Sequence, residues 1–266
     1  MPPARALVYA ATAAVLVMAG RAALVRPPPL PWAIAAFVAY VVLVLLGVFW
    51  LRLRVFADAL VRGPKGARGV VLTFDDGPDP KWTPRVLDAL DAAGAKATFF
   101  VIGRKVEAHP DVAREIVKRG HAIGLHSYAH DRLFSLRSER RVLEDLERGI
   151  AAIDRAVGVR PFLFRPPIGH TNPIIARAAD ALDLTIVGWS VSGRDGVRAD
   201  AARVAARVKR GVRDGAIVLL HDAAERGDRE PVAARALPEI LRAIDAENLR
   251  VVPLQAWLDQ PAGSST

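Results

Sequence analysis

The chain contains no cysteine. Disulfides and thiolate metal sites are therefore excluded, and any transition-metal site must be built from histidine and carboxylate. The absence is compatible with either side of a membrane. Acid is missing from a long stretch as well: the first fifty residues hold no Asp or Glu, and their only charged side chains are Arg5, Arg21 and Arg26. Nowhere do aromatic and basic residues interleave in a stripe that could stack nucleobases, so a nucleic-acid groove is not indicated. There is no internal repeat and no low-complexity tract.

The 266 residues suffice for one substantial domain and an accessory segment, and the 52% hydrophobic share is concentrated in the acid-free head. Of the net charge of +9, three units belong to Arg5, Arg21 and Arg26, and the remaining +6 lies beyond Leu51. There the arginines alternate with acids, as in Arg137-Ser138-Glu139-Arg140-Arg141 and Glu144-Asp145-Leu146-Glu147-Arg148, a pattern that reads as a solvated helix face.

Two apolar runs open the chain, Ala6 to Gly20 (extendable to Val25) and Pro31 to Leu51. A spanning helix needs about twenty apolar residues, which the second run supplies with Trp32 and Trp50 at its ends as interfacial anchors. The runs predict a hairpin of two transmembrane helices joined by Arg26-Pro27-Pro28-Pro29-Leu30-Pro31. Arg5 before a short apolar region also resembles a signal peptide, although Met18-Ala19-Gly20-Arg21 is not a clean cleavage site. A buried core pair is the third alternative. In a hairpin, Arg5, Arg52, Arg54, Arg62 and Lys65 share one side, against Arg21 and Arg26 in the connection. The positive-inside rule then favours a cytoplasmic body, and an uncleaved single crossing would reverse that.

After a Gly/Pro-punctuated linker, strand-like runs alternate with helical ones. Strands are expected at Val70–Phe74, Ala97–Ile102, Ala122–Leu125, Phe162–Arg165, Thr185–Trp189, Ala216–Leu220 and Arg250–Leu254. Helices are expected at Thr83–Ala93, Pro110–Arg119, Ser138–Val157, Asn172–Ala181, Asp200–Val212 and Val232–Ala246. Continuous apolar strands separated by helices imply a parallel sheet covered by helices, and a count near seven suggests a barrel.

Active sites of such folds lie at the carboxyl ends of strands. Four polar clusters fall there: Asp75-Asp76-Gly77-Pro78-Asp79, His126-Ser127-Tyr128-Ala129-His130, Arg165-Pro166-Pro167-Ile168-Gly169 and His221-Asp222. His126 and His130 are spaced so that a helical turn would aim both imidazoles one way, and two His with one carboxylate suit a divalent ion. The alternative for the Asp pair is a helix-capping turn. Adjacent carboxylates permit one to bind a metal while the other takes a proton from the activated water. His221 is a candidate acid, or else a satisfied structural histidine. His109 reads as a loop residue and His121 as a structural one.

Thr73-Phe74-Asp75-Asp76-Gly77-Pro78, His126-Ser127-Tyr128-Ala129-His130, Arg165-Pro166-Pro167-Ile168-Gly169 and Leu219-Leu220-His221-Asp222 resemble, in order, the motifs of the NodB-like polysaccharide deacetylases, a carbohydrate esterase family. Ala97–Gly103 and Gly120–Gly124 extend the likeness, which covers Val70 to Leu258. The resemblance implies an α/β fold, a deformed (β/α) barrel, and one divalent, zinc-type metal. It implies Asp75 as general base, and Asp76, His126 and His130 as metal ligands. Arg165 would orient Asp75, the Ile168 N–H would hold the oxyanion, His221 would be the acid and Leu219 would line the acyl pocket. Trp189-Ser190-Val191-Ser192-Gly193-Arg194-Asp195-Gly196 keeps Asp195, a support for His221, but has Gly196 where the family carries Trp. Ile168 replaces a usual Tyr. Trp189 remains as a substrate wall. The organisation implied is an anchor over 1–54, a linker over 55–69, a deacetylase domain over 70–260 and a frayed tail over 261–266. The expected activity is hydrolysis of the N-acyl amide of an amino sugar in a glycan. A deacetylase or deformylase of a lipid-linked sugar is the second reading, and a non-catalytic glycan-binding module the third.

Overall fold

The computed structural model describes residues 1–196 and 200–258. The expected tail at 261–266 lies outside the described residues. Two helices, α1 (Pro3–Leu24) and α2 (Leu30–Phe49), form an antiparallel hairpin; the Thr12 and Tyr40 hydroxyls hydrogen-bond at 3.0 Å across it. Each is long and apolar enough to cross a membrane, and only 6% of each apolar window is buried, which distinguishes them from core helices. Arg5 near the start of α1 reaches the body, donating to the Val55 carbonyl at 2.8 Å and pairing with Asp58 at 3.0 Å.

The body is a curled sheet of seven strands, all paired in parallel, in the order β5-β4-β3-β2-β1-β7-β6. The strands are β1 (Val70–Asp75), β2 (Thr98–Val101), β3 (Ala122–Leu125), β4 (Leu163–Phe164), β5 (Thr185–Ile186), β6 (Val191–Ser192) and β7 (Ala216–His221). β1 is buried along its whole length, which is why it opens on consecutive apolar residues, Val70-Val71-Leu72, rather than alternating with exposed polar ones. The helices are α3 (Thr83–Ala92), α4 (Gly103–Ala108), α5 (Pro110–Lys118), α6 (Glu139–Val157), α7 (Pro173–Ala181), α8 (Ala201–Gly211), α9 (Val232–Ala246) and α10 (Gln255–Leu258).

Strand alternation sorts the side chains into two cores. Leu72, Phe74, Phe99, Val218 and Leu220 face the helices in the larger core. Val71, Phe100, Leu163, Val187 and Ile217 fill the concave side. Continuing that second set by twos places Thr73 and Asp75 on β1, and Leu219 and His221 on β7, toward the concave side at the carboxyl rim. The register pairs Asp75 with His221.

Three expectations are corrected here. Arg250–Leu254 is not a strand. Only Val251 bridges Val70, in the short gap before β2 begins to pair at Thr73, and Pro253 offers no N–H to continue. The seventh strand is instead Val191–Ser192, formed because the chain bends after β5 and crosses to pair with β7. α4 and α10 were not anticipated. The interval between β5 and β6 is spanned by the approach to the domain: the Leu60 N–H donates to Ile186 at 2.8 Å and the Gly188 N–H to Leu60 at 2.9 Å.

Candidate active site and metal centre

Asp75 ends β1 and is almost wholly buried. Its Oδ1 accepts from Arg165 Nη1 at 2.6 Å. Arg165 is fully buried and fixed on every side. Nη1 also donates to the Thr73 hydroxyl, Nε to the Val187 carbonyl and Nη2 to the Gly188 carbonyl, while the guanidinium lies 4.2 Å from the Phe100 ring. Oδ2 remains free of the arginine and lies 3.9 Å from His126 Nε2. Burial raises the Asp75 carboxyl above its ordinary range, and the cation of Arg165 opposes that rise.

Asp76 turns the other way because it adopts a left-handed backbone, φ 75°. Its Oδ1 lies 3.7 Å from His126 Nε2 and 3.3 Å from His130 Nε2. One ligand atom from each of the three residues falls within 4.8 Å of the others, and all three side chains are buried. His126 Nδ1 sits 2.7 Å from the Arg165 carbonyl. A carbonyl can only accept, so Nδ1 carries the proton and the Nε2 lone pair faces Asp76. Burial, with His130 alongside, pushes the His126 imidazole down to about 3, so it is neutral.

The two histidines do not share a helical turn. Residues 126–130 form an irregular loop in which Ser127 (φ 62°) and His130 (φ 50°) are left-handed. The i, i+4 spacing brings the rings to 4.8 Å, but through two local reversals rather than helical geometry. The loop is held from outside. Asp145 on α6 accepts from the Tyr128 and Ala129 N–H groups at 2.8 and 3.0 Å, and the Ser127 hydroxyl accepts from the His130 N–H. Asp145 thus departs from the solvated face expected of its charged neighbours.

His221 ends β7. Its Nδ1 lies 3.1 Å from Asp195 Oδ1, and its backbone N–H donates to Asp195 Oδ2 at 2.8 Å. Burial disfavours the charged ring, but Asp195, Asp76 and Asp75 together outweigh it and push His221 up to about 10. Asp222 faces away into the helical side. It is fully buried, accepts from the Thr83 hydroxyl and is pushed up to about 7 by burial.

Asp75, Asp76, His126, His130, Asp195 and His221 border one cavity of about 510 Å³, which Ile168, Trp189 and Leu219 also line, while Arg165 lies behind Asp75. Ile168 is left-handed (φ 50°), and no described hydrogen bond uses its N–H. Gly196 lies beside His221 and leaves that wall open. Every expected site residue is therefore gathered at one rim. His109 lies between α4 and α5, outside the cavity. His121 is buried and accepts from the Ala97 N–H at 3.2 Å.

Sequence reasoning missed Glu225, Lys105 and Asp145. Glu225 Oε1 lies 3.5 Å from His130 Nδ1, and Arg132 grips its carboxylate. Lys105 donates to the Asp76 and Ala224 carbonyls at 2.7 Å each, tying the loops after β1 and β7 together. None belongs to a strand-end cluster, so no local signal marked them.

A sequence model described as polysaccharide deacetylase matches residues 62–187. A peptidoglycan-N-acetylglucosamine deacetylase of Bacillus cereus is 36% identical over 181 residues, covering 66% of this chain and 84% of that one. A chitooligosaccharide deacetylase of Bradyrhizobium sp. is 35% identical over 198 residues, covering 71% and 90%. The crystal structure of a peptidoglycan N-acetylglucosamine deacetylase superposes with a TM-score of 0.70 at 30% identity, covering 74% of this chain and 91% of that one.

Proposed function

The chain belongs to the polysaccharide deacetylase family, hydrolases of N-acetylated amino sugars, and we propose that it works with Asp75 as base, His221 as acid and one divalent cation held by Asp76, His126 and His130. The donor set fits such an ion. Two imidazole nitrogens and a carboxylate oxygen, with the His126 lone pair fixed by the Arg165 carbonyl, suit zinc and other first-row divalent metals. A cation there supplies polarisation of the acyl carbonyl and a more acidic water.

The chain's own groups do the rest. Water adds to the acyl carbon while Asp75 Oδ2, the oxygen not engaged by Arg165, takes its proton. Arg165, braced by the Thr73 hydroxyl, holds the carboxylate so that this oxygen faces the ligands. The Ile168 N–H donates to the developing oxyanion. Asp195 accepts from His221 Nδ1, leaving the protonated Nε2 to deliver its proton to the sugar nitrogen as the C–N bond breaks. The products are a free amine on the sugar and acetate. Leu219 and Trp189 wall the acyl methyl and the sugar ring.

The convergence on one cavity of a carboxylate oxygen left free by Arg165, an Asp–His–His donor set and a histidine paired with Asp195 carries this reading. The test uses purified full-length protein loaded with zinc and N-acetylated chitooligosaccharides. Acetate is released by wild type, and release falls at least about a hundredfold in Asp75→Asn with bound metal unchanged. No acetate from any N-acetylated glycan sinks the activity and favours a glycan-binding module.

The hairpin of α1 and α2 is read as a two-pass membrane anchor. Residues 1–54 are the anchor, 55–69 the approach and 70–260 the catalytic domain. The basic residues at its body end support a cytoplasmic domain. A reporter fused after Thr266 tests that face.

A further inference from the structure

The hairpin meets the domain at the catalytic rim. The Thr171 N–H donates to the Val48 carbonyl at 3.0 Å, and Phe49 packs edge-on against His170 at 4.7 Å. Leu51 is buried beside Gly188. His170 and Thr171 follow the Ile168 loop after β4, and Gly188 follows β5. These are carboxyl ends of strands, so the edge of the active-site rim stands where α2 leaves the apolar layer.

A second cavity of about 600 Å³ opens at that junction, lined among others by Phe49, Trp50, Arg52, Trp189, Arg194 and Arg207. Trp189 is a wall of both cavities, and where Arg194 lines the second, the next two residues, Asp195 and Gly196, line the first. No carboxylate lines the second cavity among the described residues. Arg207 uses one N–H on the Gly193 carbonyl at 2.9 Å. Three arginines lining one opening repel one another unless an anion joins them, and the planar donor fork of a guanidinium matches phosphate oxygens. The depth fits as well. Trp50 is 60% exposed and Phe49 50%, both at the end of a spanning helix, where aromatic side chains sit at headgroup level.

We propose that the substrate is itself a lipid: an N-acylated amino sugar joined through phosphate to a long hydrocarbon chain, with Arg52, Arg194 and Arg207 holding the phosphate. The sugar then reaches past Trp189 into the catalytic cavity, and the chain lies along α2 at Phe49 and Trp50. The shared wall argues that the phosphate is the substrate's own rather than that of a bystander membrane lipid. This inference rests on the deacetylase reading above.

The test compares polyprenyl-phosphate-linked N-acetylglucosamine with a soluble N-acetylated chitooligosaccharide, using metal-loaded full-length protein in detergent micelles. The double variant Arg52→Gln/Arg194→Gln is expected to raise KM for the lipid-linked sugar roughly tenfold or more, with kcat kept and the soluble substrate unaffected. Equal effects on both substrates, no effect on either, or turnover of the soluble glycan alone overturns the inference while leaving the deacetylase reading intact. Loss of turnover on both substrates by wild type sinks the deacetylase reading instead. The pocket is then judged by native mass spectrometry with polyprenyl phosphate against the unphosphorylated polyprenol. Retention of the phosphate alone, abolished in the variant, supports the pocket, and equal retention of both refutes it.

Discussion

The two oxygens of Asp75 have different surroundings, and Arg165 makes the difference between them by engaging Oδ1 alone. Because the pair is almost wholly buried, removing the cation would leave a carboxylate without its charge partner. Arg165→Met should destabilise the fold by about 3–5 kcal/mol in denaturant titration. It should also shift the acid limb of kcat/KM to higher pH, since burial already raises Asp75 and the opposing charge is gone. His221 has the opposite dependence on its neighbour. Its pKa is raised to about 10, so the stability it gains from Asp195 is full below the ordinary imidazole pKa of about 6.5 and is lost as pH rises through 10. Asp195→Asn should therefore bring the alkaline limb of kcat/KM down toward neutrality. Its extra loss of stability should be largest in mildly acidic solution and vanish above pH 10. An unchanged alkaline limb would show that His221 does not supply the proton.

At the scale of elements, α6 shapes the loop that carries His126 and His130. Asp145 lies 17 residues from Tyr128 in the chain, yet its two oxygens accept the N–H groups that set the turn between the histidines. Asp145→Ala should lower metal affinity about 10- to 100-fold, read by competition with a chelating dye, while far-ultraviolet circular dichroism stays unchanged. The same helix approaches closely at Gly149. A Cβ there would lie 2.5 Å from Leu125 Cδ1 and 3.3 Å from the Tyr128 nitrogen. Gly149→Val should cost about 1–3 kcal/mol by overpacking and weaken metal binding with it, because the clash pushes on the loop that carries His126 and His130. Retention of both stability and affinity would mean that the helix is free to move away.

For the whole molecule, the hairpin and the domain are joined rather than tethered. Leu51 is buried in the body's core, Gly47 abuts Val55 and Phe56, and Arg5 pairs with Asp58. Read as the proposed two-pass anchor, α1 and α2 would place their largely unburied apolar faces in hydrocarbon. The full chain should remain in the membrane pellet after alkaline carbonate and be released only by detergent. Extraction by carbonate alone would rule out a spanning hairpin. Such a junction would keep the catalytic rim near the bilayer surface, where a lipid-borne sugar lies within reach and a distant polymer does not.

Local sequence was enough for much of this protein. Buried strands in a parallel sheet are continuous apolar runs, so β1, β3 and β7 were legible. The polar residues that interrupt such runs at their carboxyl ends marked Asp75, Asp76, His126, His130, Arg165 and His221. Long acid-free runs marked the hairpin. What the sequence left open depends on contacts between distant residues. β6 is two residues long and exists because β7 offers an edge. The histidine loop is bent by left-handed Ser127 and His130 and held by Asp145 rather than by helical spacing. Arg165 reaches Asp75 across 90 residues of chain. The basic cavity beside Trp50 draws on α2, the loop after β6 and α8, segments that only folding brings together. Hydrophobic periodicity is a property of neighbours along the chain, whereas convergence of charge is a property of neighbours in space.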